Sequence, residues 1–144
     1  TKKQRTDNID SIRDADMENE INTVVILAGT NDHNSDIPID VFKTGIKTAI
    51  ETLLNAYPHI ELYIISPPWR GDKTANNIGK TLEDYVMAEK EIAEAYQIPF
   101  YDLYHSCGIN TQNQGYFLNA DKLHPSEKGD IMIAKRCAKW LASN

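Results

Sequence analysis

The sequence predicts an α/β fold, in which a parallel sheet lies between two helical layers as a three-layer sandwich. Three short segments of β-branched and aromatic residues alternate with three longer amphipathic segments, and this alternation is typical of βαβ units. A shorter helical pattern around Ile9 and Ile12 precedes the first of the short segments. The chain has 144 residues and no repeat or convincing linker, so we expect residues 1–144 to form a single α/β domain or one piece of a larger one.

The three predicted strands differ in strength. Residues 23–28 form a continuous, mostly β-branched run, as expected for a strand that is covered on both faces. Residues 62–66 form a second apolar run, which the Pro67-Pro68 pair ends. Residues 98–103 form a weaker third strand, with Pro99 at a position suited to the start of a strand. Right-handed crossovers would put the connecting helices on both faces of this sheet.

The three predicted helices have apolar residues at three- and four-residue steps. They span residues 42–57, 82–96 and 131–141. Pro58 ends the first of them, and in the last Pro125 suits the first helical position and Glu127 the first turn. The polar stretch from Cys107 to Tyr116 is interpreted as a surface loop.

Composition and charge exclude several classes of function. Hydrophobic residues make up 41% of the chain and charged residues 25%, as in an average globular domain, and no apolar run approaches the roughly 20 residues of a membrane span. The net charge is -6 and the basic residues form no stripe, so we expect no nucleic-acid partner. The polar N-terminal residues do not resemble a signal peptide, which leaves the compartment, extracellular or cytoplasmic, open.

We expect neither a metal nor an organic cofactor. His59 and His105 have no partner at metal-ligand spacing, and no glycine-rich phosphate loop opens a helix. Two cysteines are too few for a disulfide framework. Cys137 is interpreted as a small core residue, and the sequence leaves open whether it is bridged to Cys107.

Two short polar motifs could carry chemistry. In Asp121-Lys122-Leu123-His124 the carboxylate could hold the imidazole Nδ1–H, leave Nε2 free to accept a proton, and stabilise the imidazolium. In Gly29-Thr30-Asn31-Asp32 the Asn31 amide could donate to a developing oxyanion, an effect of roughly 3 kcal/mol. Taken singly, the first motif is more often a solvated, helix-capping loop and the second a plain turn.

Together, the two motifs resemble two of the four sequence blocks of the SGNH (GDSL-type) hydrolases. They are the Gly-x-Asn-Asp block after a strand and the Asp-x-x-His-Pro block before the last helix, and residues 64–68 resemble the strand and proline exit between them. The resemblance runs from about Ile9 to the C-terminus. It implies a flavodoxin-like parallel sheet with His124 as general base, Asp121 as its orienting carboxylate and Asn31 as an oxyanion donor.

The chain departs from this family in its nucleophile. No Gly-Asp-Ser occurs in the sequence, and the family's second block, which supplies a glycine donor, does not appear either. The resemblance therefore implies that the two N-terminal strands are missing and that one of them would lie beside Val24. We expect this exposed edge to pair with another chain or with the missing segment. Ser66, Ser106 and Ser126 are rejected as substitutes, because a strand-end role is favoured for the first and no nucleophile elbow surrounds the others.

Three further side chains are candidates for substrate binding. Trp69 and Arg70 follow the second strand, and His33 lies beside Asn31; they would suit a sugar ring or an anionic polymer. A Trp half-buried under a loop and an Arg in solvent would explain the first two equally well.

The resemblance implies a serine esterase or acylhydrolase that cleaves a carboxylic ester, such as an O-acetyl group on carbohydrate, through an acyl-enzyme. The small-molecule or polysaccharide ester is the expected partner, and this chain is expected to be an incomplete enzyme. The alternative is a non-catalytic binding or assembly module that retains the fold. A regulatory domain is disfavoured, because no acidic cluster ends the first strand.

Overall fold

The computed structural model of the protein describes residues 21–144. The helical pattern predicted around Ile9 and Ile12 lies outside the described residues. Within the described range the chain alternates strands and helices, as the sequence predicts.

Within residues 21–144 the sheet has three parallel strands in the order β1-β2-β3. They are β1 (Thr23–Leu27), β2 (Glu61–Ile65) and β3 (Phe100–Tyr101). The β1 and β2 strands pair along their whole length, whereas β3 pairs only with the last two residues of β2. Among residues 21–144, β1 therefore has a strand neighbour on one side only.

Three long or medium helices enclose this sheet. They are α2 (Ile39–Ala56), α3 (Leu82–Ala95) and α6 (Glu127–Ala142). Three short helices lie in the connections: α1 (Thr30–Asn34), α4 (Leu103–Ser106) and α5 (Gln114–Phe117).

Alternate residues of β2 point to opposite faces of the sheet and enter two separate cores. Leu62 and Ile64 pack against α2 and α3 in a core that contains Phe42, Ile46, Ile50, Leu53, Tyr85 and Ile92. Ile65 points to the opposite face, where α6 packs. There the Trp140 ring stacks on Tyr101, with centroids 5.2 Å apart, and meets the edge of Tyr63. Helices therefore cover both faces, and the predicted three-layer sandwich with a parallel sheet is confirmed.

The third predicted strand is wrong over most of its length. Only Phe100 and Tyr101 pair with β2, and α4 begins at Leu103. The side chain of Asp102 accepts the backbone N–H of His105 at 3.1 Å, and this helix cap turns the chain out of the sheet.

The stretch from Cys107 to Tyr116 is only partly the predicted surface loop. Cys107 and Ile109 are buried in the core that Ile65 enters, and α5 begins at Gln114. These apolar residues anchor an otherwise polar segment, and its composition as a whole concealed them. Both cysteines are free thiols, and Cys137 packs against the same core as predicted.

Candidate active site

The candidate groups gather at one end of the sheet, beyond the carboxyl ends of the strands, because parallel strands end on the same side. The Gly29–Asn34 segment follows β1, and the segment from Ser66 to Lys73 follows β2. The segment from Asn119 to His124 precedes α6. It lies at the same end of the sheet, where the Lys122 carbonyl accepts backbone N–H groups of the segment after β2. Three loops thus carry all the side chains that the sequence predicted.

The loop after β1 is fixed by a glycine and a buried aspartate. Gly29 has φ +110°, and a Cβ atom there would lie 3.1 Å from Pro67 Cγ, so a side chain is disfavoured twice. The Gly29 backbone N–H donates to Asp32 Oδ2 at 3.3 Å, so this buried carboxylate holds the start of the loop. Asn31, on α1, remains exposed to solvent.

Asp121 and His124 form a hydrogen-bonded pair. His124 Nδ1 donates to Asp121 Oδ2 at 2.6 Å, while Asp121 Oδ1 accepts the backbone N–H groups of Leu123 and His124 at 2.9 and 3.0 Å. The His124 side chain is 70% exposed, and its Nε2 atom makes no hydrogen bond within the described part of the chain. An imidazole held at Nδ1 and open at Nε2 is arranged to accept a proton.

The pairing also sets the charge of the carboxylate. The hydrogen bond from the His124 side chain, helped by the two backbone N–H groups, lowers the pKa of Asp121 to about 2. Asp121 is therefore ionised at neutral pH and can stabilise an imidazolium beside it.

The backbone around this pair is held by a short antiparallel contact. Leu118 and Pro125 form an isolated bridge, and the Asn119 backbone N–H donates to the His124 carbonyl at 2.8 Å. Ser126 Oγ donates to the Tyr116 carbonyl and accepts the Gly129 N–H that opens α6. The hydroxyl of Ser126 is thus used as a helix cap.

Ser66 is also occupied structurally. It is fully buried, its Oγ accepts the Tyr104 backbone N–H at 3.0 Å, and its hydroxyl donates to the Pro67 carbonyl at 3.2 Å. Across residues 21–144, no serine, threonine or cysteine side chain forms a hydrogen bond with the His124 ring.

Arg70 and His33 are each only 5% exposed. Arg70 donates from Nη1 to Asn34 Oδ1 at 3.3 Å and from Nη2 to Asp72 Oδ2 at 3.0 Å. His33 donates from Nδ1 to the same Asn34 oxygen at 3.1 Å. Neither residue faces solvent in a groove, as the sequence suggested. Asn34 and Asp72, which sequence reasoning missed, are the side chains that hold them in place.

Trp69 is half-buried and lies beside a lysine that was also missed. The Lys73 ammonium lies 4.3 Å from the centre of the Trp69 ring and 4.6 Å from that of Tyr104, and it donates to the Tyr104 hydroxyl. One face of the indole is thus taken by a cation, a contact worth about 0.5–1 kcal/mol at an exposed site.

A second Asp-x-x-His pair occurs at Asp102 and His105. His105 Nδ1 lies 2.8 Å from Asp102 Oδ2, and its Nε2 lies 2.5 Å from Glu83 Oε1. Partial burial opposes protonation, but the hydrogen bonds to Glu83 and Asp102 outweigh it and raise the pKa of His105. Both ring nitrogens are therefore engaged, and His105 is not available as a base. The three-residue spacing of Asp102 and His105 equals that of Asp121 and His124. This spacing is the signal by which the sequence could have predicted the second pair.

No group of three or more His, Cys, Asp or Glu side chains in residues 21–144 is arranged to hold a metal ion. No helix in that range is long and apolar enough to cross a membrane.

Comparison with known proteins gives one matching family and several solved structures of similar fold. A family model described as "GDSL-like Lipase/Acylhydrolase family" matches residues 3–130. A comparison with curated protein sequences gives no significant match.

Three solved structures illustrate the similarity of fold. A protein from Lactobacillus plantarum is 21% identical, with a TM-score of 0.79, over 93% of this chain and 73% of that one. The lipase/acylhydrolase from Enterococcus faecalis is 25% identical, with a TM-score of 0.63, over 87% of this chain and 65% of that one. A peptidoglycan O-acetylesterase is 20% identical, with a TM-score of 0.71, over 85% of this chain but only 37% of its own length.

Proposed function

Because the chain belongs to the GDSL-like lipase/acylhydrolase family, we propose that it supplies the proton-transfer part of the active site of a serine ester hydrolase. His124 is the general base, Asp121 orients it, and Asn31 donates to the oxyanion. The observation that carries the proposal is the 2.6 Å hydrogen bond from His124 Nδ1 to Asp121, which leaves Nε2 accessible.

In the proposed reaction a serine hydroxyl attacks the ester carbonyl carbon and gives its proton to His124 Nε2. The carbonyl oxygen becomes an oxyanion, to which the Asn31 amide donates a hydrogen bond. The carbonyl then re-forms, and the alcohol leaves with the proton from His124. Water repeats the sequence on the acyl-serine and releases the acid. Asp121 stays ionised throughout, which its pKa of about 2 supports.

The serine belongs to a segment that would dock at the free edge of β1. Leu27 at the end of this strand is 62% exposed, whereas its pairing partner Ile65 on β2 is 2% exposed. A further parallel strand beside β1 would cover this edge and would end at the same side of the sheet as Asn31.

For the substrate, we propose an acyl ester on a carbohydrate, O-acetyl esters included. The half-buried Trp69 ring supports this, because it packs against the protein core and the Lys73 ammonium but keeps part of its aromatic surface in solvent, where a sugar ring could pack. The fold similarity to a peptidoglycan O-acetylesterase agrees with such a substrate.

A non-catalytic binding module is the second candidate. One observation favours it: within residues 21–144 no hydroxyl or thiol is hydrogen-bonded to His124. The opposing observation is that a binding module has no need for an imidazole oriented by an ionised carboxylate.

The deciding experiment measures hydrolysis of p-nitrophenyl acetate by the protein extended at its N-terminus with its natural upstream sequence. His124→Ala should lower kcat by about 1,000-fold or more, because it removes the base from both half-reactions. Asn31→Ala should lower kcat by about 100- to 1,000-fold through the loss of one oxyanion donor.

His105→Ala is the matched control, since it removes the other histidine of an Asp-x-x-His pair. Its kcat per folded molecule at pH 7 should stay within about two-fold of the wild type, because His105 has no free ring nitrogen. Activity that depends on His105 and not on His124 would overturn the assignment. An inactive extended protein that binds acetylated oligosaccharide would favour the binding module.

A further inference from the structure

One buried guanidinium connects two of the three loops of the candidate site. Arg70 reaches Asn34 on the loop after β1 and Asp72 on its own loop, with distances of 3.3 and 3.0 Å from two different nitrogens. Its side chain is 6% exposed, while that of Asp72 is 40% exposed. Arg70 is thus enclosed by protein, and a substrate at the surface would not reach its charge.

The contact with Asn34 fixes the end of the short helix that carries Asn31. Asn34 is the last residue of α1, and its side-chain oxygen accepts from both Arg70 and His33. The His33 carbonyl in turn accepts the side-chain amide of Asn76 at 3.0 Å. A five-residue helix has little stability of its own, so these tertiary hydrogen bonds set the position of Asn31.

The residues that follow Arg70 contact the turn from Asp121 to His124. The Gly71 and Asp72 backbone N–H groups both donate to the Lys122 carbonyl, at 2.8 and 3.4 Å. Lys122 lies between Asp121 and His124 and has φ +57°, a left-handed conformation that costs a non-glycine residue free energy. The turn that brings the carboxylate to the imidazole is therefore held from outside by residues 71 and 72.

Gly71 shows how close these two loops are. A Cβ atom on Gly71 would lie 2.0 Å from Gln114 Oε1 and 3.1 Å from Lys122 Cβ. A side chain at position 71 would therefore displace the end of the Gln114 side chain and crowd Lys122.

We propose that Arg70 is a positioning residue, which couples the loop of the oxyanion donor Asn31 to the loop of the base His124. The inference rests on the proposed function and adds a role for Arg70 in place of direct substrate binding. Asn34 and Asp72 are its two acceptors. A planar guanidinium can donate to two acceptors in different directions at once, which a single ammonium cannot do in the same geometry.

The test begins with this chain, where no nucleophile is needed. The pKa of Asp121 reports the turn, because its lowering to about 2 comes first from the His124 side chain and then from the Leu123 and His124 N–H groups. The charge of Arg70 is not among its causes. Arg70→Lys keeps that charge, so a higher pKa of Asp121 in this variant, followed by NMR of the carboxyl carbon, reports a change of geometry.

Asn34→Ala is the second variant, since it removes the acceptor on α1 and leaves the buried Arg70 in place. Asn34 is itself exposed, so the change leaves no cavity in the core, and its effect is confined to the lost acceptor of Arg70 and His33. Asn55→Ala, at an exposed position at the C-terminal end of α2, is the matched control. We expect a raised pKa of Asp121 and shifted NMR signals of residues 121–124 in Arg70→Lys and Asn34→Ala, and neither change in Asn55→Ala.

The same variants are then measured in the extended protein. Both should lower kcat by about 10- to 100-fold with KM nearly unchanged, because loop displacements of about 1 Å misalign the reacting groups without removing a substrate contact. A raised KM with normal kcat would show that Arg70 binds substrate and would overturn the proposal. Unchanged Asp121 titration and NMR signals in both variants would overturn it as well. An inactive wild-type extended protein would contradict the proposed function alone, since the NMR test stands without turnover.

Discussion

At the scale of single residues, the chain contains two histidines that have the same sequence spacing to an aspartate but different surroundings. His105 and His124 each lie three residues after the aspartate that their Nδ1 contacts, at 2.8 and 2.6 Å. They differ at Nε2, where Glu83 meets His105 and solvent meets His124. A carboxylate on each nitrogen stabilises the protonated ring and leaves no nitrogen open, whereas a carboxylate on Nδ1 alone leaves Nε2 open to solvent.

Gly29 gives the first prediction at this scale. Gly29→Ala should lower the free energy of unfolding by about 1–3 kcal/mol, because φ +110° strains any L-residue and the new Cβ would lie 3.1 Å from Pro67 Cγ. Urea denaturation followed by circular dichroism measures the change.

Gly115→Ala is the control for this substitution. Its added Cβ meets no atom within 4 Å and its φ is not positive, so the change should be neutral or stabilising by up to about 1 kcal/mol. Equal stability of the two variants would contradict the strain assigned to Gly29.

At the scale of elements, His105 joins two helices that are far apart in sequence. It lies on α4 and contacts Glu83 in the first turn of α3, while the Tyr104 ring packs edge-on against it. Because the pKa of His105 is raised in the folded chain, its protonation stabilises the fold.

The pH dependence of stability follows from the direction of this pKa shift. The contribution is complete below about pH 6.5, the ordinary histidine pKa, and is lost as the pH rises through the higher folded value. His105→Ala should therefore be destabilising by about 0.2–1 kcal/mol at pH 5.5 and by less at pH 9, as for other exposed ion pairs. Urea midpoints at the two pH values measure the difference.

Ser106→Ala is the control on the same helix, because its side chain does not titrate. The effect of this change on the urea midpoint should be the same at both pH values. A pH-independent effect of His105→Ala would mean that the bridge to Glu83 does not stabilise the fold through charge.

At the scale of the whole molecule, helices cover both faces of the sheet within residues 21–144, and β1 has a strand neighbour on one side only in that range. Residues Val24 to Ile26 on β1 are half-buried, whereas Leu62 to Ile65 on β2 are buried. In a parallel α/β sheet the interior strands are buried by neighbours and helices together, so β1 has the environment of an edge within residues 21–144.

The last prediction concerns this edge. Extension of the chain with its natural upstream sequence should slow amide hydrogen exchange of β1 by about ten-fold or more, because the amides that do not pair with β2 would gain partners. Mass spectrometry or NMR measures the exchange, with the amides of β2 as the internal reference. Identical β1 exchange in both forms would mean that the upstream segment docks elsewhere.

Local patterns in the sequence were sufficient for most elements. Apolar periodicity predicted helices over 42–57 and 82–96, and the structure has α2 at Ile39–Ala56 and α3 at Leu82–Ala95. The first two strands agree within one residue. The length of the third strand was overestimated. Its apolar pattern continues to Leu103, but the Asp102 side chain caps a helix by accepting the N–H of His105, three residues later, and so ends the strand.

The sequence by itself determined the fold class and the Asp121–His124 pair, because periodicity and a three-residue spacing are local properties of the chain. Only the tertiary structure decided that Arg70 is buried between two loops and that His105 is closed at both nitrogens. Their partners Asn34 and Glu83 lie 36 and 22 residues away. Contacts at such separations depend on how strands and helices pack, and no local pattern encodes that packing.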